Sequence, residues 1–343
     1  MSEATLRDVA KLAGVSLGTA SQALNNKSNV SPEKRARVLE AASTLNYQAT
    51  TRTPVTSTQP ISVLGMLVRQ DFDAPLALNS FYSYVLAGIE RECQRQNLSL
   101  MYANIQVDNM NRAVSFPPLL LNQQVDGILV VGAFLQDTIE HIREVAEKPI
   151  ILVDAYTLGT PYDSVVTDNI NGVYNAVSYL IEAGHRQIGL IGSSPEAYPS
   201  IRERRKGYSR ALKHHDLNQT DYIEDSFLTM ESGYEATMRL LKRAPQVTAI
   251  FACNDNVAFA VINAARDLGL DIPGDLSVIG FDDIDLAQEV RPALTTVHVD
   301  KVMMGVIAVR QLRDRAEDIS RPTMTTALST QLIIRESVAR LVS

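Results

Sequence analysis

Cysteine is nearly absent: the 343 residues contain two, Cys93 and Cys253, both set in apolar patterns. A disulfide framework is excluded as an organising principle, and a pair of core thiols suits a reducing compartment. Long hydrophobic runs are missing too. The N-terminus, MSEATLRDVA, has no apolar signal core, and no later run approaches membrane-spanning length, so the chain is expected in the cytosol and off the membrane. Histidine is scarce, and His141, His185, His214, His215 and His298 show neither metal-ligand spacing nor a Cys or Ser partner with a sequence signature. The Gly192-Ser193-Ser194 turn lacks a phosphate-loop lysine. No metal, no cofactor and no catalytic residue is expected.

What is present is core-forming material, 45% hydrophobic residues in a length that allows a small head and a two-lobed body. The net charge of −7 is unevenly spread, with +3 on residues 1–60 and −10 on the remainder. A weakly basic head on an acidic body suits a protein whose head alone touches phosphates, because the field of the body repels nucleic acid at other angles.

The head has a sharp local signature. In TLRDVAKLAGVSLGTASQALN, Thr5–Asn25, the residues Ala10, Gly14 and Ala20 are spaced as two short helices meeting at a tight turn require. Ala10 lets the second helix pass closely, and Gly14 takes a φ > 0 turn without a Cβ penalty. Thr5 with Asp8 forms a capping pair for the first helix, and Ser16 caps the second. Ala20, Ala23 and Leu24 share one face of that helix, leaving Leu17, Gly18, Ser21, Gln22 and Asn25 outward, where a major groove would receive them. Any Ala-rich αα-hairpin gives a similar pattern, so spacing alone leaves both readings open. Ser31 and Pro32 open a third helix with Val38, Leu39, Ala42 and Leu45 as its apolar stripe, ending near Tyr47.

From Ile61 onward, short β-rich apolar runs alternate with amphipathic helical runs, which implies βαβ units and parallel sheets. ISVLGMLV, LSLMYA, GILVV and IILVD read as strands of a first lobe, with Val85, Leu86, Ile89 and Cys93 as the inward stripe of its first helix. SVVT, QIGLIG, AIFAC and LSVIGF read as strands of a second, with helices over 170–183 and 256–268. The fold class is α/β, two Rossmann-like lobes behind a three-helix head. Ligands of open α/β sheets bind beyond the carboxyl ends of strands, and Asp154, Asn254, Asp255, Asp282 and Asp283 stand there. A lone Asp or Asn after a strand is also a good helix cap, which is the competing reading for each.

LRDVAKLAGVSLGTASQALNN, followed by VSPEKRARVLEAASTLNY, closely resembles the DNA-binding head of the lactose-repressor (LacI/GalR) family of bacterial transcription regulators, and the resemblance runs on to Arg335, Glu336 and Ser337. It implies a periplasmic-binding-protein-like body, with a head at 1–47, a linker at 48–60, a first lobe at 61–165 and 296–325, and a second at 166–295 and 326–343. The chain would cross between lobes near 165, 295 and 325. It also implies that Ser16, Thr19, Ser21 and Asn25 position the head on phosphate while Leu17, Gly18 and Gln22 read bases, with Thr5, Leu6, Asn29 and Tyr47 also touching DNA. Position 22 is commonly Arg in the family, a partner for guanine, whereas Gln22 favours adenine. The linker QATTRTPVTSTQP lacks the usual Pro-Asn and leucine wedge. Pro54 and the β-branched threonines disfavour a hinge helix there, so little operator bending is expected.

In the body the resemblance assigns Arg204, Asn254 and Asp282 to hydrogen bonds with a small-molecule effector, joined by Asp154, with Phe81 and Tyr82 on the first-lobe wall. The family aromatic over the ligand falls at Leu228 here, with Phe227 beside it. Carboxylates, an amide and a guanidinium suit sugar hydroxyls, which both donate and accept. The expectation is a homodimeric repressor that binds a pseudo-palindromic operator and responds to a sugar or sugar derivative, without the tetramer-forming tail of some relatives. Two alternatives remain: a sugar-binding protein without DNA function, and an enzyme using the cleft carboxylates. Against the enzyme, adjacent Asp282 and Asp283 on a strand end point apart.

Overall fold

The computed structural model describes residues 6–16, 19–20, 23, 31–45, 61–71, 80–108, 111–121, 124–157, 162–195, 197–217 and 221–341. The chain divides into two compact units, Met1–Gln59 and Pro60–Ser343.

In the first unit, helix Leu6–Ala13 ends at Gly14 with φ of 62°. An added Cβ there meets nothing within 4 Å, so the glycine answers to backbone conformation, not to crowding. Ser16 begins the second helix as expected, its Oγ accepting from the Thr19 amide at 3.2 Å. Val9, Ala10, Ala13, Ala20, Ala23, Val38, Ala41 and Ala42 close the core. Helix Pro32–Thr44 departs from expectation twice. Ser31 makes no side-chain cap, and Leu39 is 51% exposed, because the buried face runs Val38, Ala41, Ala42 and Leu39 lies about 100° round from it. The Thr5–Asp8 cap, the linker, and Leu24 lie outside the described residues.

The second unit holds two sheets. β1 (Val63–Asp71), β2 (Ser99–Val107), β3 (Gly127–Val131), β4 (Ile150–Val153), β5 (Asp163–Thr167) and β11 (Thr325–Leu328) form the first, in the order β11-β5-β4-β3-β1-β2, all parallel. β6 (Ile188–Ile191), β7 (Ile223–Glu224), β8 (Ala249–Ala252), β9 (Ser277–Asp282), β10 (Thr295–His298) and β12 (Gln331–Ile333) form the second, in the order β12-β10-β9-β8-β6-β7, with β12 antiparallel. SVVT, expected in the second lobe, is β5 and pairs with β4 in the first. An apolar four-residue run carries no label of its sheet. Its position is fixed from afar by Asp163, whose buried carboxylate meets Arg315 at 2.5 Å and accepts from the Met324 amide at 2.9 Å. The chain accordingly changes sheet after Thr167, after His298 and after Leu328, later each time than 165, 295 and 325.

Helices α1 (Ser80–Arg95), α2 (Gln136–Ala146) and α8 (Lys301–Glu317) belong with the first sheet. α3 (Asn169–Glu182), α4 (Pro199–His214), α5 (Met230–Arg243), α6 (Asp255–Asp267) and α7 (Leu286–Glu289) belong with the second. α1 and α8 cross so closely at Gly88 and Gly305 that a Cβ on Gly88 would stand 2.0 Å from the Val302 carbonyl oxygen. Cys93 and Cys253 are buried free thiols, and burial pushes Cys253 up to about 12. Arg335 and Ser337 stitch the C-terminal segment to the second sheet: Ser337 accepts from the Thr295 amide at 2.8 Å and donates to the Val278 carbonyl at 2.6 Å. Among the described residues no helix is long and apolar enough to cross a membrane.

Candidate functional site

The carboxyl ends of β4 and β9 bring polar side chains of the two lobes together in the second unit, where they hold one another in place. On the second-lobe side, α4 carries Arg204 with only 5% of the residue exposed. Its Nε donates to Asn169 Oδ1 at 3.0 Å, Nη1 to the Cys253 carbonyl, and Nη2 to Asp282 Oδ1 at 3.3 Å, while the guanidinium lies 3.8 Å from the centroid of the Phe281 ring. The close approach to the ring and three directed bonds leave the side chain one geometry. Asp282 stands at the end of β9 with φ of 108°, a conformation that a residue with a Cβ holds only when its surroundings force it. Burial raises the Asp282 carboxyl, opposed by the charges of Arg204 and Lys301.

On the first-lobe side, Asp154 follows β4 with φ of 59° and accepts from the Tyr82 hydroxyl at 3.0 Å. Tyr82 is set edge-on to Phe81, ring centroids 5.2 Å apart, so the two aromatics at the start of α1 brace each other. Desolvation raises Asp154 to about 6, and Arg204 from the opposite lobe pulls it back, which shows the two lobes facing one another at this point. The Tyr82 hydroxyl is held well above its ordinary range by the same burial and remains a proton donor. Tyr82, Asp154, Arg204 and Asp282 are therefore brought together, and Phe81 is buried behind Tyr82.

Asn254 is at the rim in a divided role. Its Oδ1 caps α6 by accepting from the Val257 amide at 2.9 Å, and its Nδ2 points to the Leu228 carbonyl at 3.4 Å, so the capping reading is realised in this conformation. Phe227 is not brought into the site: it is 75% exposed, while Leu228 is partly buried against two apolar clusters, one confined to the second lobe and one that spans both lobes. Asp282 and Asp283 diverge as expected, Asp283 pairing with Arg335 at 2.7 Å and His298 at 2.8 Å. Asp255 is structural, its carboxylate accepting from the Ile284 amide at 2.9 Å and from Thr296 Oγ1 at 2.5 Å; burial raises it to about 8. Among the described residues no group of three potential metal ligands occurs.

Several residues in or around the cleft were not singled out from sequence. Arg69 at the end of β1 donates to Asn111 Oδ1 at 2.9 Å and to the Tyr198 hydroxyl of the second lobe at 2.8 Å. Tyr156 reaches Glu203 at 2.8 Å, Tyr84 reaches Asp285 at 2.6 Å, and the Lys301 ammonium donates to the carbonyls of Asp282 and Asp283. Each joins the two lobes. Only Arg69 carried a usable signal, since it stands at the carboxyl end of a strand.

In the head, Ser16 and Thr19 are described, with Ser16 Oγ 2.8 Å from Thr19 Oγ1 on an open face. The backbone of Leu6 is helical. Thr5, Leu17, Gly18, Ser21, Gln22, Asn25, Asn29 and Tyr47 lie outside the described residues.

Residues 5–49 match the model of bacterial regulatory proteins of the lacI family, and residues 177–338 match a periplasmic binding protein-like domain. The HTH-type transcriptional repressor PurR of Pasteurella multocida (strain Pm70) is 31% identical over 98% of this chain and 98% of its own. Among solved structures, the transcriptional regulator CelR–cellobiose complex has a TM-score of 0.71 at 29% identity, covering 97% of this chain and 99% of that one. The lac repressor dimer bound to operator and the anti-inducer ONPF has a TM-score of 0.71 at 25% identity, covering 98% and 100%. A LacI family regulator from Enterococcus faecium with bound ribose has a TM-score of 0.69 at 26% identity, covering 82% and 100%. A helix-turn-helix head matched over residues 5–49, a body matched over 177–338, and a repressor relative 31% identical over 98% of the chain make this chain a member of the lacI family of DNA-binding transcriptional regulators controlled by small molecules.

Proposed function

We propose that the chain is a homodimeric repressor whose hold on a pseudo-palindromic operator is set by a hydroxyl-rich small molecule, a sugar or sugar derivative, closed between the two lobes. The observation that carries this is the facing arrangement of Arg204 and Asp282 on one lobe and the Tyr82–Asp154 pair on the other. Guanidinium N–H and phenol O–H donate, and two carboxylates accept. A hydroxyl does both, so adjacent hydroxyls on a compact ring can engage several of these groups at once. Relatives of similar fold hold cellobiose and ribose, which favours that ligand class.

A ligand touching both lobes stabilises the closed arrangement by its differential affinity for it. Closure displaces the first lobe of each protomer against its partner and so alters the spacing of the two heads, and linkage makes operator and ligand affinities mutually dependent. The reading places the chain in the cytosol and assigns it no catalysis. In support of the latter, Asp282 is engaged by Arg204 and Asp283 by Arg335 and His298, so the two carboxylates share no substrate atom.

A thermal-shift screen of sugars, sugar phosphates and nucleosides on the full chain, followed by operator anisotropy titrations with each hit, tests the reading. Hits should be hydroxyl-rich, should change operator affinity, and should bind about tenfold or more weakly to Asp282→Asn, which deletes one charged hydrogen-bond acceptor. A hit that binds Asp282→Asn and Arg204→Lys as tightly as the native chain removes the cleft assignment.

A further inference from the structure

A second concavity opens beside the crossovers, and none of Tyr82, Asp154, Arg204, Asn254 or Asp282 lines it. It is an open hollow of about 380 Å³, at the small end of the range that holds low-molecular-weight ligands. Both lobes build it. Val166 on β5 and Ala327 on β11 stand side by side in the parallel register and give an apolar wall, joined by Ile170 from the first turn of α3. The Tyr156 ring adds an aromatic face, and Glu203 of α4 closes the polar end.

The chemistry of this lining is one-signed. Its charged side chains are Asp168 and Glu203, both carboxylates, and no Lys or Arg among the described residues lines it. Asp168 is occupied as the cap of α3, accepting from the Asn171 amide at 3.1 Å and from Asn171 Nδ2 at 2.7 Å. Glu203 accepts one bond on each oxygen, from the Tyr156 hydroxyl at 2.8 Å and from Asn169 Nδ2 at 3.1 Å. Each carboxylate oxygen takes about two hydrogen bonds, so Glu203 has acceptor capacity left over. In the same wall Thr167 is 2% exposed and its Oγ1 has no hydrogen-bond partner, an unmet polar group of the sort that native interiors seldom tolerate.

We propose that this hinge concavity is a second small-molecule site, for an organic ammonium ion with a compact apolar or aromatic body. The ammonium donates to Glu203 and lies against the Tyr156 ring, and the body covers Val166, Ile170 and Ala327. Occupancy is felt in the main cleft through one residue, because Asn169 donates to Glu203 by Nδ2 and accepts from Arg204 by Oδ1. The site also sits where the chain passes between lobes after Thr167 and after Leu328, so a bound cation ties the two lobes together at their pivot.

Isothermal titration of the full chain with 2-phenylethylammonium, and with 2-phenylethanol as its uncharged counterpart, tests the assignment. The ammonium should saturate at one per chain and the alcohol should bind at least about tenfold more weakly, as loss of one charge-assisted hydrogen bond requires. Glu203→Gln should cost a similar factor. Ala327→Met, on an exposed strand position where the fold is not at risk, should abolish binding by filling the wall. The proposal is overturned if the ammonium gives no saturable binding, if the alcohol binds as well, or if both variants bind like the native chain. It is also overturned if Asp282→Asn removes binding while Ala327→Met does not, which would place the cation in the main cleft.

Discussion

Replacing Arg204 with Met keeps an unbranched chain over the Phe281 ring and deletes the charge. Three acceptors lose their donor at once: Asn169 Oδ1, the Cys253 carbonyl and Asp282 Oδ1. The side chains of Arg204 and Asp282 are 6% and 14% exposed, so water does not replace the lost partner and the buried-pair regime applies. Removing one member of such a pair costs about 3–5 kcal/mol, chiefly because the other is left charged and alone. In a body of this size that corresponds to a fall in Tm of roughly 10 °C. Adding Asp282→Asn to Arg204→Met removes the stranded charge and should recover about 2 kcal/mol, even though it is a second deletion in the same network. The cost of Arg204→Met alone should also grow with pH. Burial already raises Asp282, and without Arg204 it rises further; a raised carboxyl contributes stability that is present at low pH and lost as pH climbs through its folded value. Differential scanning fluorimetry of the four-member cycle between pH 5 and 8 measures all three effects. A single-mutant cost under about 1 kcal/mol, or a double mutant whose losses simply add, would refute the picture of a desolvated, mutually dependent pair.

Three further outcomes are expected. Asp255→Asn should be well tolerated and should gain stability relative to the native chain as pH rises from about 5 through 8. The native carboxyl is raised to about 8, so its contribution is full below the ordinary carboxylate range and lost on passing its folded value; parallel melting curves with a pH-independent difference would contradict this. Gly88→Ala should destabilise by about 1–3 kcal/mol or more, since its Cβ would fall 2.0 Å from the Val302 carbonyl and two helices must separate; an unchanged Tm would show that α1 and α8 do not cross there. Gln22→Arg should shift operator preference at one base pair of each half-site from adenine to guanine, by about 1–3 kcal/mol in a binding selection, and native protein that already prefers guanine would exclude the assigned contact.

The legible parts of this chain were those written locally. Gly14, Ala10 and Ala20 identify the turn of the head, because a positive φ and a close crossing each demand one residue type at one place. The strands and helices of the body follow from apolar period, and the helices over 169–182 and 255–267 begin one residue before the expected positions. Arg204 and Asp282 were visible as polar residues with a family counterpart, and the structure joins them. Leu39 was misplaced because a stripe of four apolar letters at nearly helical spacing hides which of them faces the core. Glu92 is 2% exposed on the inward side of α1, held by Arg95 and Arg310, and no helical period reveals a charge buried by a residue 218 positions away.

By itself, then, the order of residues determined the kinds of element, the division into head and two-lobed body, and the polar residue types at the strand ends, since each depends on neighbours within a turn or a strand. Only the tertiary structure decided that SVVT joins the first sheet, that Phe227 faces water while Leu228 does not, and that Arg69 meets Tyr198 across the lobes. Those outcomes rest on hydrogen bonds and charges brought together by parallel crossovers, where partners lie far apart in the chain and a short segment holds no record of what it will face.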